Sequence, residues 1–90
     1  MPQKKKEEIE LSSEANGIQR GVYQHFRGDE IQVVGVALHS ETLEEVVVYK
    51  HVTGERAGEP YQWVRPVKVF LEDVDKDGYK GPRFIFLRDN

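Results

Sequence analysis

Residues 30–49 read Glu30-Ile31-Gln32-Val33-Val34-Gly35-Val36-Ala37-Leu38-His39-Ser40-Glu41-Thr42-Leu43-Glu44-Glu45-Val46-Val47-Val48-Tyr49, two apolar runs separated by one short polar interval. Such valine-rich runs favour strands, because β-branched side chains pack well on a pleated surface. The interval between them reverses the chain. Apolar residues fall on both faces of the first run, which predicts a central strand covered on both sides. If Ser40 lies opposite Glu44, Leu38 pairs with Val46, Ala37 with Val47 and Gly35 with Tyr49. The Tyr49 ring would then cover the bare backbone of Gly35. Within the interval, Thr42 and Glu45 have capping-box spacing.

Working outward, Val22-Tyr23-Gln24-His25-Phe26 forms a strand that enters Arg27-Gly28-Asp29. Gly28 followed by Asp29 fits a two-residue hairpin loop with glycine at the positive-φ position. His51 to Pro60 holds Gly54, Gly58 and Pro60 among polar residues and should be the longest internal loop. Tyr61 to Arg65 returns as a strand that Pro66 ends or confines to a sheet edge. Pro66 to Leu71 fits either one helical turn or a continued strand. Asp75-Lys76-Asp77-Gly78 is a turn, and Pro82 to Leu87 is the last strand. These elements predict a mainly β fold: a small antiparallel SH3-type barrel or roll of about five strands, with room for one short helical turn.

Residues 1–17 combine a lysine run, four glutamates and few large apolar side chains, the composition of a disordered tail. A single β-barrel-like domain is expected over 18–90. The 90-residue chain has room for one domain and no large enclosed cavity. Absence of cysteine removes disulfides, thiolate zinc sites and a cysteine nucleophile. No apolar run approaches the roughly 18 residues of a membrane span, and Lys4-Lys5-Lys6 is followed by acids, so the expectation is a cytoplasmic protein with no membrane partner. Net charge is -3, and the basic residues are scattered. Nucleic acid is therefore a weakly supported partner, dependent on Arg20, Arg27, Arg65, Lys68, Arg83 and Arg88 converging in space.

Three motifs suggest chemistry that their context weakens. Asp73-Val74-Asp75-Lys76-Asp77-Gly78 opens like a calcium-binding loop, but Phe84 stands where a bidentate glutamate is needed and Pro82 intrudes, so a polar hairpin turn is the better reading. His25, His39 and His51 are the right residues for zinc, yet the register sends His39 and His51 to opposite ends of neighbouring strands, so no metal site is expected. His39-Ser40-Glu41 has the residue types of a hydrolytic triad, but neighbours in an extended chain seldom face one another. Trp63-Val64-Arg65-Pro66 is the densest chemical signal. Trp63 and Arg65 share a strand face, which sets a stacking surface beside a guanidinium suited to carboxylate or phosphate. The structural alternative is a core tryptophan and an arginine paired with Glu41, Glu44 or Glu45.

Gly21 to Gly28, Val36 to Thr42 with Val47-Val48-Tyr49, Trp63 to Pro66 with Phe70, and Pro82-Arg83-Phe84 together resemble the bacterial domain-of-unknown-function family sixteen fifty-three. The resemblance covers roughly Gly21 to Phe84. It implies a bacterial domain with an SH3-type barrel or roll and carries no activity. Arg27 stands where lysine is more usual in that family, and the segment between Tyr49 and Trp63 is longer than typical.

The leading expectation is a non-enzymatic, monomeric binding module without a cofactor. Tyr23, His39, Glu41, Tyr49, Trp63 and Arg65 would line a shallow groove for a small anionic ligand, peptide or nucleic-acid segment. A rival reading is a small hydrolase or isomerase using His39 as acid or base, Glu41 to orient it and Arg65 to stabilise negative charge. A third treats these residues as a structural polar network.

Overall fold

A computed structural model describes residues 9–90. Its elements are α1 (Ser13–Asn16), β1 (Gly21–His25), β2 (Glu30–Leu38), β3 (Glu45–His51), β4 (Trp63–Pro66), α2 (Val67–Phe70), β5 (Asp73–Lys76), β6 (Tyr79–Pro82) and β7 (Phe84–Arg88). A five-stranded antiparallel sheet has the order β4-β3-β2-β1-β7, and β5 and β6 form a separate hairpin. The expected mainly β, antiparallel roll is present. It is an open sheet that curls, since its edges β4 and β7 share no hydrogen-bond ladder yet meet through Arg65 and Phe84.

The curl follows from where the large side chains lie. Val33 and Val47 have no exposed surface, and Ile31, Tyr49, Val67 and Phe70 are nearly as buried. Phe70 stacks on Phe84 with ring centroids 4.7 Å apart, and Tyr23 meets Phe70 edge-on at 5.2 Å. The short helix α2 thus supplies the apolar mass that the inner sheet face wraps around. Its ambiguity in sequence resolves as a helical turn, with the extended Pro66 at its N-cap (ψ 139°).

The β2–β3 register differs by one residue from the expected one. Leu38 pairs with Glu45, Ala37 with Val46 and Gly35 with Val48, because the loop is closed between His39 and Glu44 with Leu43 at a positive φ of 61°. The Thr42–Glu45 interval is this loop and caps no helix. A shift between Val33 and Gly35 then brings Tyr49 opposite Val33. Gly35 is covered by the Arg20 guanidinium instead, with its Nε 3.7 Å from where a Cβ would stand.

The β1–β2 connection also differs. His25 N–H donates to Asp29 O and Gly28 N–H to His25 O, which makes Phe26-Arg27-Gly28 a three-residue loop with Gly28 at φ 110°. Gly28 has the expected positive φ, but as the third residue of a three-residue loop instead of the first of two. Asp77 and Gly78, at φ 53° and 79°, form the hairpin turn between β5 and β6.

The expected tail ran to Gly17. Residues 1–8 of it lie outside the described residues, whereas Ser13–Asn16 forms a helical turn whose Ala15 is 2% exposed within the core. Glu45 explains this order: its carboxylate accepts from the Ser12 N–H at 2.6 Å and from the Ser12 hydroxyl at 2.7 Å. Ser12 Oγ in turn accepts from the Ala15 N–H, capping the helix. Sequence reading missed this because the partner lies 33 residues away. No helix among the described residues is long and apolar enough to cross a membrane.

Candidate functional site

Antiparallel strands bring the end of one beside the start of the next, so one rim of the sheet gathers residues remote in sequence. At the rim beside the β1–β2 loop all five strands contribute to a cleft of about 220 Å³. Its floor is Ile31 on β2, Tyr49 on β3 and Phe84 on β7, all buried. Around them stand His25 on β1, His51 on β3, Arg65 on β4, and Arg27 and Asp29 in the loop. The composition is an apolar, aromatic base under a polar rim, the usual make-up of a small-ligand site.

Arg65 is the central group. It lies opposite Val47 on the inward face of β4, and its guanidinium stands 5.5 Å from the Phe84 ring centroid. Its Nε is buried and has no hydrogen-bond partner among the described residues, and no carboxylate there forms a salt bridge with it. The expected partners Glu41, Glu44 and Glu45 do not reach it, and Glu45 is engaged by Ser12. A guanidinium held by an aromatic face and lacking a counter-ion offers donors to an external acid.

His25 completes the electrostatics. Its ring packs edge-on to Phe84 at 5.1 Å, and its Nδ1 accepts from the Arg27 N–H at 3.2 Å, so the neutral ring carries its proton on Nε2. Burial pushes the imidazole below its ordinary pKa of 6.5, and the Arg65, Arg83 and Arg27 charges push the same way against Asp29. Of the two cleft arginines, Arg27 is paired with Asp77 at 3.4 Å, which leaves Arg65 as the one without a salt bridge among the described residues.

The six residues singled out in the sequence do not share one surface. Tyr49 and Arg65 line the cleft, and Trp63 adjoins it, meeting the cleft residue His51 edge-on at 5.9 Å. Tyr23 is a core residue whose hydroxyl donates to Gln19 O at 2.8 Å. His39 and Glu41 lie in the β2–β3 loop, at the opposite end of β3 from His51. There His39 Nδ1 accepts the backbone N–H groups of Glu41 and Thr42 at 3.2 and 3.3 Å, which closes the turn. Arg65 pairs three residues farther along β3 than Glu44, roughly 10 Å by strand rise. Among the described residues no group of three or more His, Cys, Asp or Glu is placed to hold a metal ion.

Sequence reading missed His25, Arg27, Asp29, Ile31, His51 and Phe84 as members of one site. A signal existed, since His25 ends one strand, Ile31 is second in the next, His51 ends the third and Phe84 begins the last, and all such positions meet at one rim of an antiparallel sheet. Using it required the curl that brings β7 to β4.

Next to Trp63, the long loop folds back on the sheet. The Glu59 carboxylate accepts from the Trp63 indole, the Tyr61 hydroxyl and the Arg56 guanidinium. Partial burial works against its charge, but these donors and the Arg56 cation hold the carboxyl below its ordinary pKa of 4.5.

Residues 21–86 match the family model described as a protein of unknown function, DUF1653. The crystal structure of a DUF1653 protein from Bordetella bronchiseptica is similar, at 34% sequence identity and a TM-score of 0.73, over 84% of this chain and 95% of that one. No curated protein matches the chain.

Proposed function

We propose, on the premise that this chain belongs to the DUF1653 family of unknown function, that it is a non-enzymatic binding module whose cleft takes a carboxylate carried by a small molecule or peptide. The observation that carries the proposal is Arg65, a guanidinium fixed over Phe84 with a buried, unpartnered Nε and no counter-ion among the described residues. Arg65 lines the cleft with its charge unbalanced, and an incoming acid supplies the missing counter-ion to the guanidinium.

Charge balance supports carboxylate over phosphate. Asp29 stands on the same rim and opposes accumulated negative charge, which weighs more against a dianion than against a monoanion. Size supports a small group, since about 220 Å³ lies below the range of drug-sized sites, roughly 300–1,000 Å³. The aromatic base favours an acid with a short apolar body.

The test is an NMR titration of the full chain with butyrate, using n-butanol as the uncharged control. Butyrate should shift His25, Arg65 and Phe84 signals saturably and butanol should not. Equal responses to the two, or shifts confined to the β2–β3 loop, sink the proposal.

A further inference from the structure

Beside the cleft a second carboxylate position is built and filled by the chain itself. Trp63 Nε1–H donates to Glu59 Oε1 at 2.9 Å, while the Tyr61 hydroxyl and the Arg56 Nη1–H donate to Oε2 at 3.0 and 3.2 Å. The Arg56 guanidinium also lies over the Trp63 ring, 4.7 Å from its centroid. Three different donor groups on one carboxylate form the kind of arrangement that recognises an acid.

Glu59 is fastened mainly by that grip. The start of its loop is tied to β2, where the Val52 and Thr53 N–H groups donate to Glu30 O, but from Gly54 to Glu59 the backbone bonds outside helices and strands are local among the described residues, from Ala57 N–H to Gly54 O and from Glu59 N–H to Arg56 O. Exchanging one carboxylate for another in the cradle therefore breaks no rung of the sheet. Gly54 and Gly58, at φ 88° and 84°, frame the segment with backbone conformations that glycine adopts freely.

The cradle and the cleft are neighbours. Trp63 and Arg65 project from the same face of β4, two residues and so roughly 7 Å apart along the strand. His51 belongs to the cleft wall and touches Trp63, so the two positions are contiguous.

We infer that Arg56, Tyr61 and Trp63 form a second carboxylate subsite, filled in the free protein by Glu59, and that the cleft's ligand is a flexible dicarboxylate whose far carboxylate displaces Glu59. This rests on the reading of the Arg65 cleft as a carboxylate site. Glu59 then acts as an internal competitor, and a ligand with one acid group gains nothing from removing it.

Titration of wild type, Glu59→Ala and Glu59→Gln with adipate and with butyrate tests the inference, reading the Trp63 indole N–H signal for the cradle and His25 and Arg65 signals for the cleft. Adipate should bind Glu59→Ala about tenfold more tightly than wild type, with Glu59→Gln between them, whereas butyrate affinity should change less than about twofold. Adipate should move the indole signal together with the cleft signals. Cleft signals that move with a silent indole, or equal adipate affinity in all three proteins, overturn the inference and leave the cleft reading standing. An indole response without any cleft response overturns both. Should the alanine variant lose its dispersed spectrum, the glutamine variant carries the same comparison.

Discussion

The Arg65 guanidinium carbon stands 5.5 Å from the centroid of the Phe84 ring, bridging the two edge strands of the sheet where no hydrogen-bond ladder joins them. In a closed barrel, backbone bonds would seal this seam. Here a cation over an aromatic face spans it, which leaves one rim of the roll open around a charge that lacks a counter-ion among the described residues.

Arg65→Lys keeps the charge but loses the planar fork, so butyrate affinity should fall about tenfold in the NMR titration. Arg65→Ala should abolish saturable binding while costing about 1 kcal/mol of stability, the scale of a partly exposed cation–π contact. Thermal melts check the second figure. A fall in Tm much beyond about 8 °C would mark Arg65 as a structural strut instead.

His25 links pH to both stability and binding. Its folded pKa lies below 6.5, so its contribution is complete above 6.5 and declines as pH falls, because the unfolded chain takes up the proton first. Relative to His25→Gln, wild type should therefore lose stability between pH 6.5 and the folded pKa in urea melts. A bound carboxylate favours the imidazolium, so the histidine pKa should rise on butyrate binding, and affinity should increase from pH 7 to pH 6.

The contact between Ser12 and Glu45 should behave as one unit. Ser12→Ala and Glu45→Gln each remove part of the cap on α1 and should cost about 1 kcal/mol in denaturant unfolding. The double variant should lose clearly less than the sum, since both changes break the same contacts.

Two glycines should differ in how much alanine costs. At Gly21, φ is 146°, and a Cβ would collide with the Arg88 carbonyl oxygen and approach the Phe86 ring to 2.8 Å. Gly21→Ala should cost at least about 2 kcal/mol by equilibrium unfolding. At Gly35 the nearest atoms are those of Arg20 at an ordinary 3.7 Å, so Gly35→Ala should change stability by less than about 0.5 kcal/mol.

How far the sequence could be read depended on the range of the interaction involved. Val46 to Tyr49 reads as a strand from its own residues, and Asp77-Gly78 reads as a turn because the backbone conformations needed are ones that Asp and Gly adopt. The β2–β3 register slipped by one because a loop closed at His39 and Glu44 and the irregularity near Val34 leave no distinct composition. In the site, Trp63 and Arg65 were legible as a pair from their alternation on β4. His25 and His51 were visible as residues, but their association with Arg65 was not.

The sequence by itself determined that this is a mainly β, antiparallel domain with short strands, hairpin turns at Gly28 and Gly78, and a pair at Trp63 and Arg65 on one strand face. These features rest on side-chain alternation and turn conformation, which depend on neighbours in the chain. Tertiary structure alone decided that the sheet curls over α2, that Glu45 secures Ser12, and that the ends of five strands meet around Arg65. Those outcomes depend on long-range burial and on register summed over several strand pairs, where one bulge changes which side chains share a rim.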